Sequence, residues 1–260
     1  MPSSILDKIV ARKRDEVASA KRALPLNQFH TQIQSLAAPC DFLAALRNHG
    51  PVSLIAEVKK ASPSKGIIRQ DFDPDVIARI YADHGAACIS VLTDQPFFQG
   101  HLDYLRSIRA AVSLPLLRKD FIIDEYQVHE ARAAGADAVL LIAECLEPLQ
   151  MRDLHQSITG LGMTALVELY DEHNLDAVLA CDPTLVGVNN RDLHTFQVDF
   201  QHSIRMKQRL PSSIVMVSES GISSAADVRI LRNAGIEAML VGESLMRRDD
   251  IAQAVRDLLA

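Results

Sequence analysis

The 260-residue sequence predicts a (β/α)8 barrel preceded by a helical extension. Eight short, apolar, β-branched runs follow one another at about the spacing of one βα unit. Three of the helix-to-strand joints read alike: HGAACISVL from His84, AGADAVLLI from Ala134 and AGIEAMLVG from Ala234. No Gly-x-Gly-x-x-Gly fingerprint follows the first run, which favours a closed barrel over an open doubly wound sheet.

Residues 1–48 form the extension and residues 49–260 the barrel, and together they are expected to make one domain. The extension opens with a helix that Ser4 can cap. Leu6, Ile9, Val10 and Val17 share one face of it, and Lys8, Arg12, Lys13 and Asp15 are read as the polar face. A second helical stretch runs from Cys40 to Asn48, with Asp41 as a cap, and Pro25, Pro39, Gly50 and Pro51 punctuate the region.

The eight runs then follow in order: VSLIAEV from Val52, ACISVL from Ala87, LPLLRK from Leu114, DAVLLIA from Asp137, MTALVEL from Met163, TLVGVNN from Thr184, SIVMVSE from Ser213 and EAMLVGE from Glu237. Near-continuous apolar strands suit a parallel sheet buried on both faces. Each shared joint places glycine just past a helix, where a left-handed cap is needed before the chain enters the strand.

Composition narrows the function. Hydrophobic residues make up 48% and charged residues 23%, so disordered and fibrous classes drop out. The net charge of −6 argues against bulk nucleic-acid binding, so any phosphate site must be local. Cys40, Cys88, Cys145 and Cys181 form no CxxC pair and read as reduced thiols. The nine histidines include no HExxH or HxH pair, so neither a metal nor a cofactor is expected. No apolar run approaches the ~18 residues that span a membrane, and residues 1–24 lack a signal-peptide core. The expected setting is the cytoplasm. The expected assembly is a monomer, with a dimer as the alternative.

In a (β/α)8 barrel the chemistry sits at the C-terminal ends of the strands. The first run continues into EVKKASPSKG, and strand alternation puts Glu57 and Lys59 on one side. After the third run, one of Arg118 and Lys119 must face inward. Glu168 in TALVEL is a carboxylate embedded in an apolar strand, so it is paired with a cation or catalytic. Asn189 and Arg191 share a side after the sixth run, as substrate ligands or as turn residues. Ser220-Gly221 and Gly242-Glu243-Ser244 make glycine turns that lead into helices after the last two runs, where barrels cradle phosphate. The residues alone describe acid–base chemistry on a phosphorylated small molecule.

Taken together, Ile5-Leu6-Asp7-Lys8-Ile9, EVKKASPSKG, LRKDF from Leu117, ALVELYDEHNLD from Ala165, VGVNNRDL from Val186, VSESGI from Val217 and LVGESLMR from Leu240 resemble the indole-3-glycerol phosphate synthase family over nearly the whole chain. The resemblance implies a lyase of tryptophan biosynthesis. It would convert 1-(o-carboxyphenylamino)-1-deoxyribulose 5-phosphate to indole-3-glycerol phosphate, CO2 and water. It implies Lys119 as general acid, Glu168 as its acid–base counterpart, and Lys59 on the substrate carboxylate with a share in dehydration. Glu57 would position Lys59, and Asn189 and Ser220 would hold the reacting groups. Ser62, Arg191, Gly221, Gly242, Glu243 and Ser244 would take the phosphate, and Phe98, Phe121 and Leu240 would wall the ring. Glu243 departs from members with a small hydroxyl residue there. The alternatives are another phosphate-binding barrel such as phosphoribosylanthranilate isomerase, which wants a Cys–Asp pair, or a barrel that binds without turnover.

Overall fold

The computed structural model describes residues 4–192 and 195–260, so Leu193 at the end of the VGVNNRDL motif lies outside it. Eight strands close into a parallel barrel. They are β1 (Ser53–Val58), β2 (Cys88–Leu92), β3 (Leu116–Lys119), β4 (Ala138–Ile142), β5 (Thr164–Leu169), β6 (Leu185–Asn189), β7 (Val215–Glu219) and β8 (Ala238–Val241). Every one lies within a run singled out in the sequence. Closure joins the ends of the order: β1 sets Glu57 beside Ser90 of β2 and Ile55 beside Leu240 of β8. The three joint glycines, Gly85, Gly135 and Gly235, take φ of 104°, 92° and 74°, the left-handed backbone that their shared pattern predicts.

Alternation along each strand splits the core in two. Leu54, Ala56, Leu116, Val167 and Met216 point outward and pack under the helices. Ile55, Leu117, Leu166 and Val217 point inward and fill the barrel. These four come from β1, β3, β5 and β7, so they make one interior layer of the kind that alternate strands build. Two residues further along the same strands stand Glu57, Lys119, Glu168 and Glu219. The next layer, at the mouth, is therefore one ammonium and three carboxylates.

Three helices precede β1: α1 (Ile5–Ala23), α2 (Leu26–Gln34) and α3 (Phe42–Asn48). Ser4 caps α1 in a capping box with Asp7, and the Asp41 carboxylate accepts from Ala44 N–H at 2.8 Å to start α3. Phe42 and Leu46 of α3 join the inward cluster, and Ser53 at the start of β1 donates to the Leu46 carbonyl at 2.6 Å. Thus α3 plugs the end of the barrel opposite the mouth. Leu6 and Ile9 of α1 join the same cluster beside Phe121, Leu140 and Leu240, and they cover the mouth.

Two expectations for this segment are corrected. The sequence reading contained two helices, and α2 is a third. It is short and polar, but Phe29 is 1% exposed and meets the Tyr126 ring edge-on at 5.2 Å. Lys13 was assigned to the polar face of α1, yet it is 5% exposed. Its position, four residues after Ile9 and four before Val17, lies on the buried stripe. Three carboxylates meet its ammonium there: Glu16 at 2.9 Å, Asp94 at 3.0 Å and Asp120 at 3.0 Å.

Candidate active site

A cavity of about 430 Å³ opens at the C-terminal ends of the strands. It is lined by Glu57, Lys59, Ser62, Phe98, Lys119, Phe121, Glu168, Asn189, Arg191, Ser220, Gly221, Leu240, Gly242, Glu243 and Ser244. All fifteen residues singled out in the sequence therefore meet in one space. Among the described residues no cysteine lines it, whereas the isomerase alternative wants a Cys–Asp pair.

The choice between Arg118 and Lys119 is decided by alternation. Arg118 points out of the barrel, where its guanidinium pairs with Asp120 at 3.2 Å and Glu130 at 2.9 Å. Lys119 points in. Its ammonium stands 3.0 Å from Glu168 and 3.4 Å from Glu219. Burial alone would push that ammonium's pKa down, but Glu168 and Glu219 outweigh it and hold the pKa above the ordinary lysine range.

The two carboxyls differ in kind. Burial raises both. At Glu168 the charge of Lys119, with hydrogen bonds from Glu219, Lys119 and Asn189, overcomes burial and keeps the group ionised. At Glu219 burial and the negative Glu168 together push the pKa well above the usual carboxylate range, and Lys119 offsets only part of this. Of the two, Glu219 therefore holds a proton more readily than Glu168, the division that like charges adopt when they interact closely. Glu219 ends the seventh run of the sequence reading and is given no role there. Its alternation with Val215 and Val217 was a signal of the same kind that exposed Glu168.

Asn189 donates to Glu168 at 3.1 Å and accepts from Ser220 Oγ at 2.9 Å, so both sit in the acid–base cluster. Ser220 has φ of 67°, a left-handed backbone disfavoured by about 1–2 kcal/mol for a residue with a side chain. Asn190 anchors it from behind. It is fully buried and donates to the Ser220 carbonyl at 3.0 Å and Ser218 Oγ at 3.2 Å.

On the opposite side Lys59 reaches Glu57 at 3.3 Å and lies 5.5 Å over the Phe98 ring. Phe98 and Phe121 face each other with ring centroids 6.0 Å apart. Ser62 Oγ is buried with no hydrogen-bond partner. Ser244 Oγ donates to the Ile222 carbonyl at 2.8 Å, tying the last two loops together. Arg191 lies 3.5 Å from the Glu243 carboxylate, which also pairs with Arg247 at 3.1 Å. Glu243 thus holds the arginine expected to meet an anion, and its side chain is no anion ligand.

Two glycines make room for the carboxyls. A methyl group on Gly187 would stand 2.3 Å from Glu219 Oε1, and one on Gly242 would stand 2.4 Å from Glu57 Oε2. A Gly187→Ala chain should keep its fold and lose activity, because a displacement of about 1 Å in a catalytic group can cost up to ~100-fold. Steady-state kinetics beside a thermal melt tests this, and a wild-type kcat would show that the place of Glu219 is immaterial.

The family model described as indole-3-glycerol phosphate synthase matches residues 6–258 of the chain. A curated relative of that name from Rhodopirellula baltica is 54% identical over 257 residues, covering 99% of each chain. Another, from Aromatoleum aromaticum, is 50% identical over 259 residues, covering 98% of this chain and 99% of the relative. Among solved structures, KGPDC from Streptococcus mutans superposes with a TM-score of 0.63 at 11% identity, over 80% of this chain and 95% of that one, a likeness of fold alone.

Proposed function

The chain belongs to the indole-3-glycerol phosphate synthase family, and from that premise we propose which residues perform the family's ring closure, decarboxylation and dehydration. The observation that carries the proposal is the single ammonium of Lys119 set between Glu168 and Glu219 on the cavity floor, below the apolar walls of Phe98, Phe121 and Leu240.

The substrate's aromatic ring lies between those walls, with its carboxylate on Lys59. Lys119 protonates the ketone oxygen as the ring carbon bearing the carboxylate attacks the ketone carbon. A protonated carbonyl is the better electrophile, which is what lets an aromatic carbon act as nucleophile. Loss of CO2 returns its bonding electrons to the ring. The new hydroxyl then leaves as water, protonated by Lys59 or Lys119, and Glu168 takes the proton whose removal completes the indole. Carbon dioxide and water balance the substrate with no external oxidant. Glu57 positions Lys59. Asn189 and Ser220 hold Glu168 and the substrate hydroxyls. Glu219, the more readily protonated carboxyl, holds the other two members of its cluster.

The phosphate takes the loops around Gly221 and Gly242 with Ser62, Ser244 and Arg191, which turns to it from Glu243. Residues 1–48 and the barrel act as one domain. The protein works as a monomer on a free small molecule in the cytoplasm, a reducing compartment that suits its four unbonded thiols. Incubation with 1-(o-carboxyphenylamino)-1-deoxyribulose 5-phosphate while following indole fluorescence tests the reading, and substrate binding without turnover would sink it. Inorganic phosphate should inhibit competitively, and Arg191→Ala should weaken that inhibition. Unchanged inhibition would remove Arg191 from the phosphate site.

A further inference from the structure

Lys13 is a buried cation that does not line the cavity, on a helix that precedes the barrel. Burying an ammonium carries a desolvation cost that an apolar side chain of the same length avoids. Glu16, one of its three carboxylate partners, lies on its own helix, and the remaining two lead to the ring pocket from behind. One of them, Asp120, follows Lys119 and accepts from the N–H of Phe121 at 2.8 Å. Thr93 Oγ1 donates to the same carboxylate at 2.5 Å, and Arg118 supports it at 3.2 Å. The other, Asp94, caps the short helix Gln95–Phe98 by accepting from the N–H of Phe97 at 2.9 Å. Asp94 and Asp120 therefore stand at the roots of the two aromatic walls, Phe98 and Phe121. The Lys13 ammonium lies 3.0 Å from each carboxylate. Without it, Asp120 keeps Arg118, and the bridge that ties Asp94 to Asp120 is lost.

We propose that Lys13 is a positioning residue for the aromatic-ring pocket: by bridging Asp94 and Asp120 it fixes the Phe98 and Phe121 walls relative to each other, and so makes the N-terminal helix part of substrate recognition. The inference rests on the assignment of those walls to the substrate ring. It goes beyond that assignment by placing the control of their spacing outside the barrel.

The variant Lys13→Met keeps the length of the side chain and removes its charge. Loss of the bridge lets the roots of the two walls move independently, and KM for the ring-bearing substrate should rise about tenfold, with a smaller change in kcat. The inhibition constant of inorganic phosphate, which has no ring, should stay within about twofold of wild type, a split that general loosening of the fold would not produce. An unchanged KM in a chain that melts as a folded protein overturns the inference. A parallel rise of KM and the phosphate constant overturns it too. Should Lys13→Met fail to fold, Asp94→Asn decides by the same criteria. Asparagine still caps the short helix while one charge of the bridge is lost, and KM should rise about threefold. Phe98→Ala is the control. If it leaves KM unchanged, the ring-pocket assignment falls and the inference with it. If it raises KM while neither bridge variant does, the assignment stands and the inference alone falls.

Discussion

Lys119→Ala should bind substrate almost as well as wild type and turn it over on the order of 100- to 10,000-fold more slowly, the usual cost of removing a positioned general acid. The ammonium meets the ketone oxygen most strongly once charge develops there, so its loss falls on kcat. The site explains why no neighbour replaces it. Glu168 is ionised, and Lys59 is paired with Glu57 on the other side of the cavity. Loss of the ammonium also leaves Glu168 and Glu219 facing each other uncompensated, so the pair holds its proton more tightly and the pKa of Glu168 rises out of its lowered range. Lys59→Ala should differ in kind. On the proposed assignment it meets the substrate carboxylate already in the ground state, so KM should rise as well as kcat fall. Its part in dehydration should let the closed, decarboxylated but still hydroxylated intermediate accumulate. Single-turnover kinetics on both variants with product trapping separates the roles. Near-full kcat in Lys119→Ala, or an exchange of the two binding phenotypes, would show the assignment to be wrong.

Glu168→Gln should lose a comparable 100- to 10,000-fold in kcat, and Glu219→Gln far less, although the carboxyls share one lysine. The difference follows from which carboxyl holds a proton more readily. Glu168 works ionised, and an amide neither accepts a proton at its oxygen nor offers Lys119 a second acceptor. Glu219 is the member of the pair that holds a proton more readily, so an amide reproduces its donor to Glu168. The pH profile of kcat/KM carries the same signature. As pH falls through the lowered pKa of Glu168, below the ordinary 4.5, the base is protonated and the rate drops. As pH rises through the raised pKa of Glu219, above 4.5, its donated proton is lost and a second carboxylate forms beside the first. Glu219→Gln should keep the acidic limb and abolish the alkaline one. A larger loss of kcat in Glu219→Gln than in Glu168→Gln would reverse the roles.

Where sequence and structure part, Lys13 and Glu219 are the instructive residues. Both are charged, and each lies on the stripe or alternation of an otherwise apolar element. A charge in such a place either escapes to water or finds partners, and the chain's own order does not say which. Lys13 was set among polar neighbours because it is a lysine, although its spacing from Ile9 and Val17 already pointed inward. Glu219 closed the seventh run and was given no role, although its spacing from Val217 pointed into the barrel. In both cases periodicity outweighed residue type.

The sequence by itself determined the strands, the joints and the residues that reach the mouth, because these follow from local rules. Apolar runs of period two make strands, glycine past a helix makes a cap, and residues at strand ends in a parallel barrel share one face. Only the tertiary structure decided which of those residues touch. Glu57, Lys119, Glu168 and Glu219 are distant in the chain and become one layer through the register of a closed sheet. Arg118 and Lys119 are adjacent in the chain and end on opposite sides of the strand. The ionisation of the pair, the room left by Gly187 and the bridge from Lys13 to the ring walls are set by distances of about 3 Å between residues far apart in sequence. Pairwise electrostatics at that range depends on burial and on every neighbouring charge at once, and it exists only after the barrel has closed.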